Sequence, residues 1–339
     1  MASQNIAIPT GENASILASL ATHIFENHGA EIGDAVIGKN FGLTWMRQKA
    51  ESEESGGLDF AEPVMISENS NFAFRDHYST IPADQQDPMR EFKFDPVTLT
   101  GVVVINKKHE LMNTGKAQIK KLMTTLKAQA ESSIYNIMSR ALWNASPVAN
   151  VEPESIRSLV TTTPTAGTIG GITRAGNAYA QNLAYTTAIT SIGSAAGLAA
   201  LHRQRVKLAG SAKELPDFAI TTTTIWSNLN AYIDTLRRPS SNEQMVKLGF
   251  ENFYIGSTLL GYDGDGGTPT IGGGECPANS LYLLNSKHLF FKVLQGGNMH
   301  FDPFSAKDNS LNITSVFYMF YNMTTNLPGS LGVLSNITG

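Results

Sequence analysis

The stretch from Val104 to Asn144, VINKKHELMNTGKAQIKKLMTTLKAQAESSIYNIMSRALWN, predicts one unusually long helix. From Ile119 to Leu142 its apolar residues recur at the i, i+3, i+4 spacing of a single helical face. The stretch contains no proline, and Pro147 predicts a stop just after it. At a rise of 1.5 Å per residue, such a helix would be about 60 Å long. No recognisable chemistry lies on this predicted rod or beside it.

The same stretch is basic, although the chain as a whole has a net charge of -4. Its seven basic and two acidic residues give it a net charge of +5, counted from Val104 to Asn144. Lys116, Lys120 and Lys127 fall near one face of the predicted helix. Two interpretations stay open: a solvated helix face, or a positive strip that faces a polyanion or an acidic segment of a neighbouring subunit.

The preceding segment, Glu51–Asp95, is acidic, with eleven acidic and three basic residues and therefore a net charge of -8. Phenylalanines alternate at period two within it, at Phe72 and Phe74 and again at Phe92 and Phe94, as β-strands require. The polar, proline-containing sequence STIPADQQDP lies between them and predicts the exposed end of a long hairpin. Because a lone hairpin is marginal in water, we expect it to lean on a neighbouring subunit.

The rest of the chain predicts a mixed α+β fold. Residues 1–50 combine a short amphipathic helix signal, ASILASLATHIFENHG, with an extended arm that begins at GKNFGLTWMRQKA. Residues 150–300 alternate helix and strand signals. An aromatic strand follows in LNITSVFYMFYNM, and a second extended piece is broken at Pro328.

Composition excludes several functional classes. The net charge argues against a simple nucleic-acid-binding domain. The single cysteine, Cys276, excludes an internal disulfide framework and a thiolate metal cluster. No run of residues is long and apolar enough to cross a bilayer, and the start of the sequence lacks the pattern of a secretory signal. We therefore expect a protein that is made and used in a cytosol.

The sequence motifs that resemble catalytic or ligand-binding sites each lack a required residue. HELMN at 109–113 has Asn113 where a zinc-protease helix needs its second histidine, and TGKA at 114–117 lacks the hydroxyl of a phosphate-binding loop. DGDGG at 263–267 predicts a tight turn rather than a calcium loop. The seven histidines form no local ligand pair. We expect no catalytic, cofactor-binding or metal-binding residues, with a dispersed enzyme site as the alternative.

The order of these parts resembles the major capsid proteins of tailed bacteriophages, the family with the HK97-type fold. The phrases that carry the resemblance are NTGKAQIKKLMTTLKAQAESSIYNIMSRALW, GGITRAGNAYAQN, LPDFAITTTTIWSNLNAYIDTLRR, SLYLLNSKHLFF and NMTTNLPGSLGVLSNI. The likeness extends over nearly the whole chain after the first forty or so residues.

The resemblance implies a division of the chain into four regions. Residues 1–50 would be an N-terminal arm, and residues 51–100 would be the extended hairpin loop, or E-loop, that reaches over a neighbouring subunit. Residues 101–150 and 296–339 would form the peripheral domain, with the long helix as its spine. Residues 151–295 would form most of the axial domain, which meets its copies around five-fold and six-fold centres.

The resemblance also implies a function and its partners. The chain would be a structural protein, not an enzyme, that self-assembles into the icosahedral or prolate head shell enclosing a phage genome. It would assemble in the host cytoplasm and remain in the virion. Its partners would be its own copies in hexamers and pentamers, portal, scaffold or decoration proteins, and packaged DNA through non-specific contact, with no membrane and no cofactor. The alternatives are a tail tube or sheath protein, or an intracellular oligomeric enzyme.

Charge complementarity suggests which residues would meet between subunits. The acidic hairpin and the basic helix are the expected partners. The predicted contact residues are Arg75, Asp76, Asp84, Asp87, Arg90, Glu91, Lys116, Lys120, Lys121 and Lys127.

Overall fold

A computed structural model describes residues 40–80, 84–106, 116–212, 214–236, 252–264, 275–302, 305–306 and 312–338. The helices in these ranges are α1 Phe41–Lys49, α2 Lys116–Leu142, α3 Ile156–Leu159, α4 Ala195–Ala212 and α5 Thr223–Leu236. The strands are β1 Glu51–Glu54, β2 Phe60–Met65, β3 Met89–Phe94, β4 Val97–Asn106, β5 Thr168–Ile169, β6 Ile172–Thr173, β7 Leu183–Tyr185, β8 Phe218–Thr221, β9 Phe253–Ile255, β10 Thr258–Tyr262, β11 Leu281–Leu284, β12 Leu289–Leu294, β13 His300–Phe301, β14 Ser305–Ala306, β15 Asn312–Thr325 and β16 Gly332–Leu334.

The first sheet is organised around the 14-residue strand β15. On one side β15 pairs antiparallel with β4, in a register that runs from Asn312 opposite Asn106 to Tyr321 opposite Val97. On its other side it pairs with β12, β13 and β14, and β1 adds to β12 in parallel. Helix α2 packs on one face of this sheet, where its residue Ile134 belongs to the same buried cluster as Phe317 of β15.

The second sheet has the strand order β7-β16-β11-β8-β10-β9. Its central strands β8 and β11 are buried at every position, which explains their continuous apolar sequences. One face contributes Phe218 and Ile220 to the cluster under the first sheet. The opposite face, through residues such as Leu260 and Leu283, forms a second cluster with helices α4 and α5. This second sheet therefore lies between two cores.

Helix α1 corrects the prediction of an extended arm in residues 41–49. The Asn40 side chain caps this helix by accepting a hydrogen bond from the Leu43 amide at 2.8 Å. Its apolar residues are buried, and the Trp45 ring stacks on Phe218 with centroids 3.7 Å apart. The spacing from Phe41 to Trp45 is the i, i+4 spacing of a helix face, which the second sheet covers. The predicted amphipathic helix before Asn40 lies outside the described residues.

The long helix is confirmed over Lys116–Leu142, a 27-residue helix about 40 Å long. Its predicted start at Val104 is wrong, because Val104 and Ile105 continue strand β4. The β-branched run there favours a strand, and pairing with β15 along ten positions outweighs the helical signal. Residues 107–115, with Gly115, lie outside the described residues.

The hairpin prediction is confirmed at its base and wrong further out. Strands β2 and β3 pair from Phe60 opposite Phe94 to Met65 opposite Met89. Phe72 lies beyond the paired region and belongs to no strand, because nothing in the described chain pairs with it. Of the C-terminal strands, β15 lies in the first sheet and β16 in the second. The division into four regions stays a prediction.

Candidate assembly interface

The base of the hairpin is fixed to the body by its alternating side chains. Phe60, Val64, Phe92 and Phe94 point to one face of the two-stranded ribbon and are buried in the first core. The alternate positions on β2 are exposed. Such period-two burial orients the ribbon, because a slip of one residue would expose the whole apolar set. The hairpin therefore has a defined direction as it leaves the body.

A buried ion network also anchors the base. The Lys292 ammonium on β12 lies 2.6 Å from a carboxylate oxygen of Glu54 and 2.7 Å from one of Glu62. The Thr324 hydroxyl donates a 2.7 Å hydrogen bond to the same Glu62 oxygen. Burial alone would lower the pKa of Lys292, but hydrogen bonds and charge attraction from Glu54 and Glu62 together raise it. This network connects β1, the hairpin strand β2 and the first sheet.

Beyond the base, the hairpin exposes polar and apolar side chains together. Phe72, Phe74 and Tyr78 are exposed large hydrophobic residues, and Phe74 is fully exposed; Met65 and Met89, at the outer end of the base, are exposed as well. Isolated exposed apolar residues are normal on a protein surface, whereas several in one projecting segment indicate a contact site. The distal hairpin thus has the composition of an interface, and the part of the chain that the structure describes does not cover it.

The predicted hairpin contact residues lie on this exposed segment. The Arg75 guanidinium donates to the Asn71 carbonyl oxygen at 3.3 Å, and Asp76 accepts a hydrogen bond from the His77 amide at 2.8 Å. Arg90 forms an exposed ion pair with Asp87 at 3.4 Å. Asp84 and Glu91 are also exposed. All six residues are thus exposed on the hairpin, where only Arg90 and Asp87 are shown in contact with each other, and their role between subunits stays a prediction.

The predicted basic residues lie on the backbone of helix α2. Lys116, Lys120, Lys121 and Lys127 are within its bounds, and their side chains lie outside the described residues. Their contact with an acidic hairpin stays a prediction.

A buried cluster that the sequence analysis missed joins three parts of the chain. The Asp263 carboxylate, at the end of β10, accepts hydrogen bonds from Asn40 at 2.8 Å and from the Trp143 indole at 2.5 Å. The Asn40 amide also donates to Ser139 on α2. Burial raises the pKa of Asp263 to about 7; the two hydrogen bonds oppose this rise, and Glu275 adds to it. No sequence spacing links positions 40, 143 and 263, so only the fold reveals this junction.

The motif GGITRAGNAYAQN has a structural explanation. Arg174 is buried, and its guanidinium donates to the Asn182 side chain and to the carbonyl oxygens of Ser158 and Leu159, each at 2.9 Å. Burial lowers the pKa of this guanidinium, and the charge of Glu154 opposes that shift. Arg174 therefore connects its own loop to helix α3 and to the segment at Asn182.

The described residues offer neither a metal-binding cluster nor a membrane-spanning helix. In these ranges no group of three or more histidine, cysteine, aspartate or glutamate side chains is arranged to hold a metal ion. None of the helices described is long and apolar enough to cross a membrane.

Comparison with known proteins identifies the fold. No protein-family model matches the chain, and no curated protein matches its sequence. The cyanophage A-1(L) capsid structure matches with a TM-score of 0.67 and 15% identity, over 92% of this chain and 97% of that one. The capsid of a native GTA particle matches with a TM-score of 0.55 and 11% identity, over 94% and 99%.

A third match is the capsid of the Myoviridae phage XM1, with a TM-score of 0.51 and 10% identity, over 90% of this chain and 96% of that one. The chain therefore has an α+β, HK97-like capsid fold, and the prediction of fold class is confirmed.

Proposed function

We propose that this chain is a major capsid protein of a tailed bacteriophage, a structural subunit that self-assembles into the head shell around the genome. The observation that carries the proposal is the match to the cyanophage capsid chain over 92% of this chain and 97% of that one. The match therefore extends over most of this chain and nearly all of the cyanophage capsid chain.

The surface of the isolated subunit supports the proposal independently. The hairpin base is rigidly held by buried side chains and the Lys292 network, whereas its distal part exposes Phe72, Phe74 and Tyr78 to water. A projecting segment of this kind gains free energy only when another surface covers its apolar residues. Contacts between different surfaces of identical subunits are heterologous, and they form closed rings when the rotation between neighbours closes, as hexamers and pentamers require.

The remaining partners follow from the same proposal. The subunit would meet portal, scaffold or decoration proteins and would face packaged DNA through non-specific contact. It would assemble in the host cytoplasm and remain in the virion. Its role is structural, with no catalytic step of its own. A tail tube or sheath protein, or an oligomeric enzyme with a dispersed site, is not favoured, because the chain matches capsid subunits along its length.

Electron microscopy of the purified protein, together with its mass distribution from light scattering, tests the proposal. Closed shells, or rings of five and six subunits, are the expected result, either alone or after co-expression with neighbouring phage proteins. A uniform small oligomer under all of these conditions would overturn the proposal.

A further inference from the structure

Helix α4 carries a buried arginine that has no counter-charge in the described part of the chain. Arg205 is only 5% exposed. Burial lowers the pKa of its guanidinium, and no carboxylate in the described ranges opposes this shift. Arg174, which is also buried, differs, because the charge of Glu154 opposes the shift there. Buried charges are normally paired, since an unpaired one loses its hydration without compensation. The environment of Arg205 therefore favours an anion as its partner.

The guanidinium of Arg205 is held by three neutral groups. Its Nε–H donates to the Thr258 hydroxyl at 2.8 Å. Its two terminal nitrogens donate to His202 Nδ1 at 3.2 Å and to the Ser257 hydroxyl at 3.3 Å. A guanidinium has five N–H groups, so one N–H on each terminal nitrogen has no acceptor among the described residues. Arginine binds carboxylate and phosphate oxygens through such N–H groups.

Further hydrogen-bond donors surround this guanidinium at the surface. A guanidinium only donates, so His202 Nδ1 accepts and Nε2 of the same exposed ring carries the proton. Burial and the charge of Arg205 lower the pKa of His202, which favours this neutral form. Gly256 and Ser257 form the exposed two-residue turn between β9 and β10. Their amides make no hydrogen bond within the described ranges. Imidazole, hydroxyl and amide donors are therefore available around one buried cation.

The turn lies directly against the guanidinium because its first residue is glycine. Gly256 has a φ of 66°, a conformation that side chains rarely adopt. A Cβ at this position would lie 2.9 Å from both terminal nitrogens of Arg205. Any other residue would therefore cover the part of the guanidinium that the glycine leaves open.

The neighbouring surface of helix α4 attracts anions. Its exposed residues include Arg203 and Lys207 as well as His202, and the 18-residue helix contains no acidic residue. Clustered positive charge raises the local concentration of anions. The donors around Arg205 come from the helix and from the turn, so they suit an anion with oxygens on several sides. A phosphate group fits this description better than a carboxylate, which has only two oxygens.

We propose that Arg205, His202 and the turn of Gly256 and Ser257 form a binding site for a phosphate group. The phosphate pairs with the buried charge of Arg205, and His202 Nε2, the Ser257 hydroxyl and the turn amides bind its other oxygens. Free inorganic phosphate and the backbone of a nucleic acid share this chemistry, and either is a source of the group. The site goes beyond the proposed capsid function and does not depend on it.

Equilibrium dialysis of the full chain against radiolabelled inorganic phosphate tests the site. Sodium chloride keeps the ionic strength constant throughout. The expected result is saturable binding to one site per subunit, which an equal concentration of chloride does not displace. A short unlabelled DNA duplex, added at the same ionic strength, distinguishes the two sources. Displacement of the label by the duplex assigns the site to a nucleic-acid backbone, and retention of the label assigns it to free phosphate.

Variants locate the binding. His202→Ala and Ser257→Ala each remove one exposed donor from the site and should raise the dissociation constant about tenfold, the worth of one hydrogen bond to a charged group. Arg203→Gln and Lys207→Gln are the matched controls, because each removes an exposed charge from the same helix outside the site. They should change the dissociation constant only about twofold, since salt screens exposed charges. Circular dichroism of each variant checks that it is folded.

Three results would overturn the site. They are the absence of saturable phosphate binding, unchanged binding in both His202→Ala and Ser257→Ala, and an equal loss of binding in the two control variants. The last result would show that the basic face of α4 attracts anions without a defined site. None of these results bears on the capsid function, which the electron micrographs test separately.

Discussion

Replacing Lys292 by methionine should show how strongly the hairpin base is held. The substitution keeps most of the side-chain length and removes the ammonium that contacts Glu54 and Glu62. The side chains of Lys292 and Glu62 are only 9% and 7% exposed, so Glu62 would keep a buried charge with Thr324 as its hydrogen-bond partner. Glu54 is 39% exposed and can turn toward water.

The expected decrease in the free energy of unfolding follows from the cost of leaving the buried charge of Glu62 without its ion-pair partner. Removing one partner of a buried ion pair costs about 3–5 kcal/mol. An exposed pair contributes about 0–1 kcal/mol. Lys287 and Glu214 form such a pair at 2.7 Å, with side chains 67% and 43% exposed. Lys287→Met is therefore a matched control that removes the same chemical group from the surface.

Urea unfolding of the unassembled chain, followed by tryptophan fluorescence, measures both variants. Lys292→Met should lower the free energy of unfolding by about 3–5 kcal/mol and Lys287→Met by no more than about 1 kcal/mol. The double variant Lys292→Met/Glu62→Met should recover most of the loss, because no unpaired charge remains. A Lys292→Met variant as stable as the control, or a double variant no more stable than the single one, would refute the reasoning.

The pH dependence of the same network has a defined sign. The pKa of Lys292 is raised in the folded chain from its ordinary value of 10.5. Its contribution to stability is therefore fully present below that value and is lost as the pH rises through the folded pKa. The unsubstituted chain should lose stability more steeply than Lys292→Met in this alkaline range.

Three further predictions test other parts of the structure. Reversing Lys120 and Lys121 to glutamate should impair assembly, as seen by electron microscopy, without changing the circular dichroism of the subunit; normal shells would contradict the charge pairing. Burial raises the pKa of Asp263 to about 7, so its contribution to stability is present at pH 4 and lost toward pH 7. Asp263→Asn should flatten the profile of melting temperature against pH between pH 4 and pH 7. An unchanged slope would contradict the raised pKa of Asp263. Gly261→Ala should lower the free energy of unfolding by at least about 1–3 kcal/mol, since its Cβ would lie 1.7 Å from the buried ring of Phe41. Gly210→Ala, at an open helix position, should raise the free energy of unfolding by up to about 1 kcal/mol, and thermal unfolding measures both variants. Equal effects of the two substitutions would contradict the close packing at Gly261.

Local patterns predicted the elements whose own residues determine their structure. The helical period in α2 predicted the Lys116–Leu142 helix, and the alternation at Phe92 and Phe94 predicted β3, because the buried set in each lies on one face. The alternating helix and strand signals predicted the α+β class, and the family resemblance implied its HK97-like form.

Elements that depend on distant partners were missed. The run at Val104 and Ile105 lies next to a helical pattern, and only pairing with β15 decides that it is a strand. Helix α1 is short, and its burial depends on Phe218, far along the chain. Nothing local in the sequence indicates that Glu62 and Lys292 meet in the interior. Such contacts are set by the topology.

The position of β16 has a consequence for the synthesis of the chain. This strand lies between β7 and β11 in the second sheet, pairing parallel with one and antiparallel with the other, yet both are translated well before it. At about 5–20 residues per second, β7 waits on the order of ten seconds on the ribosome for its partner. A chain truncated before Gly332 cannot complete the sheet. The second sheet is therefore completed only after β16 has been synthesised.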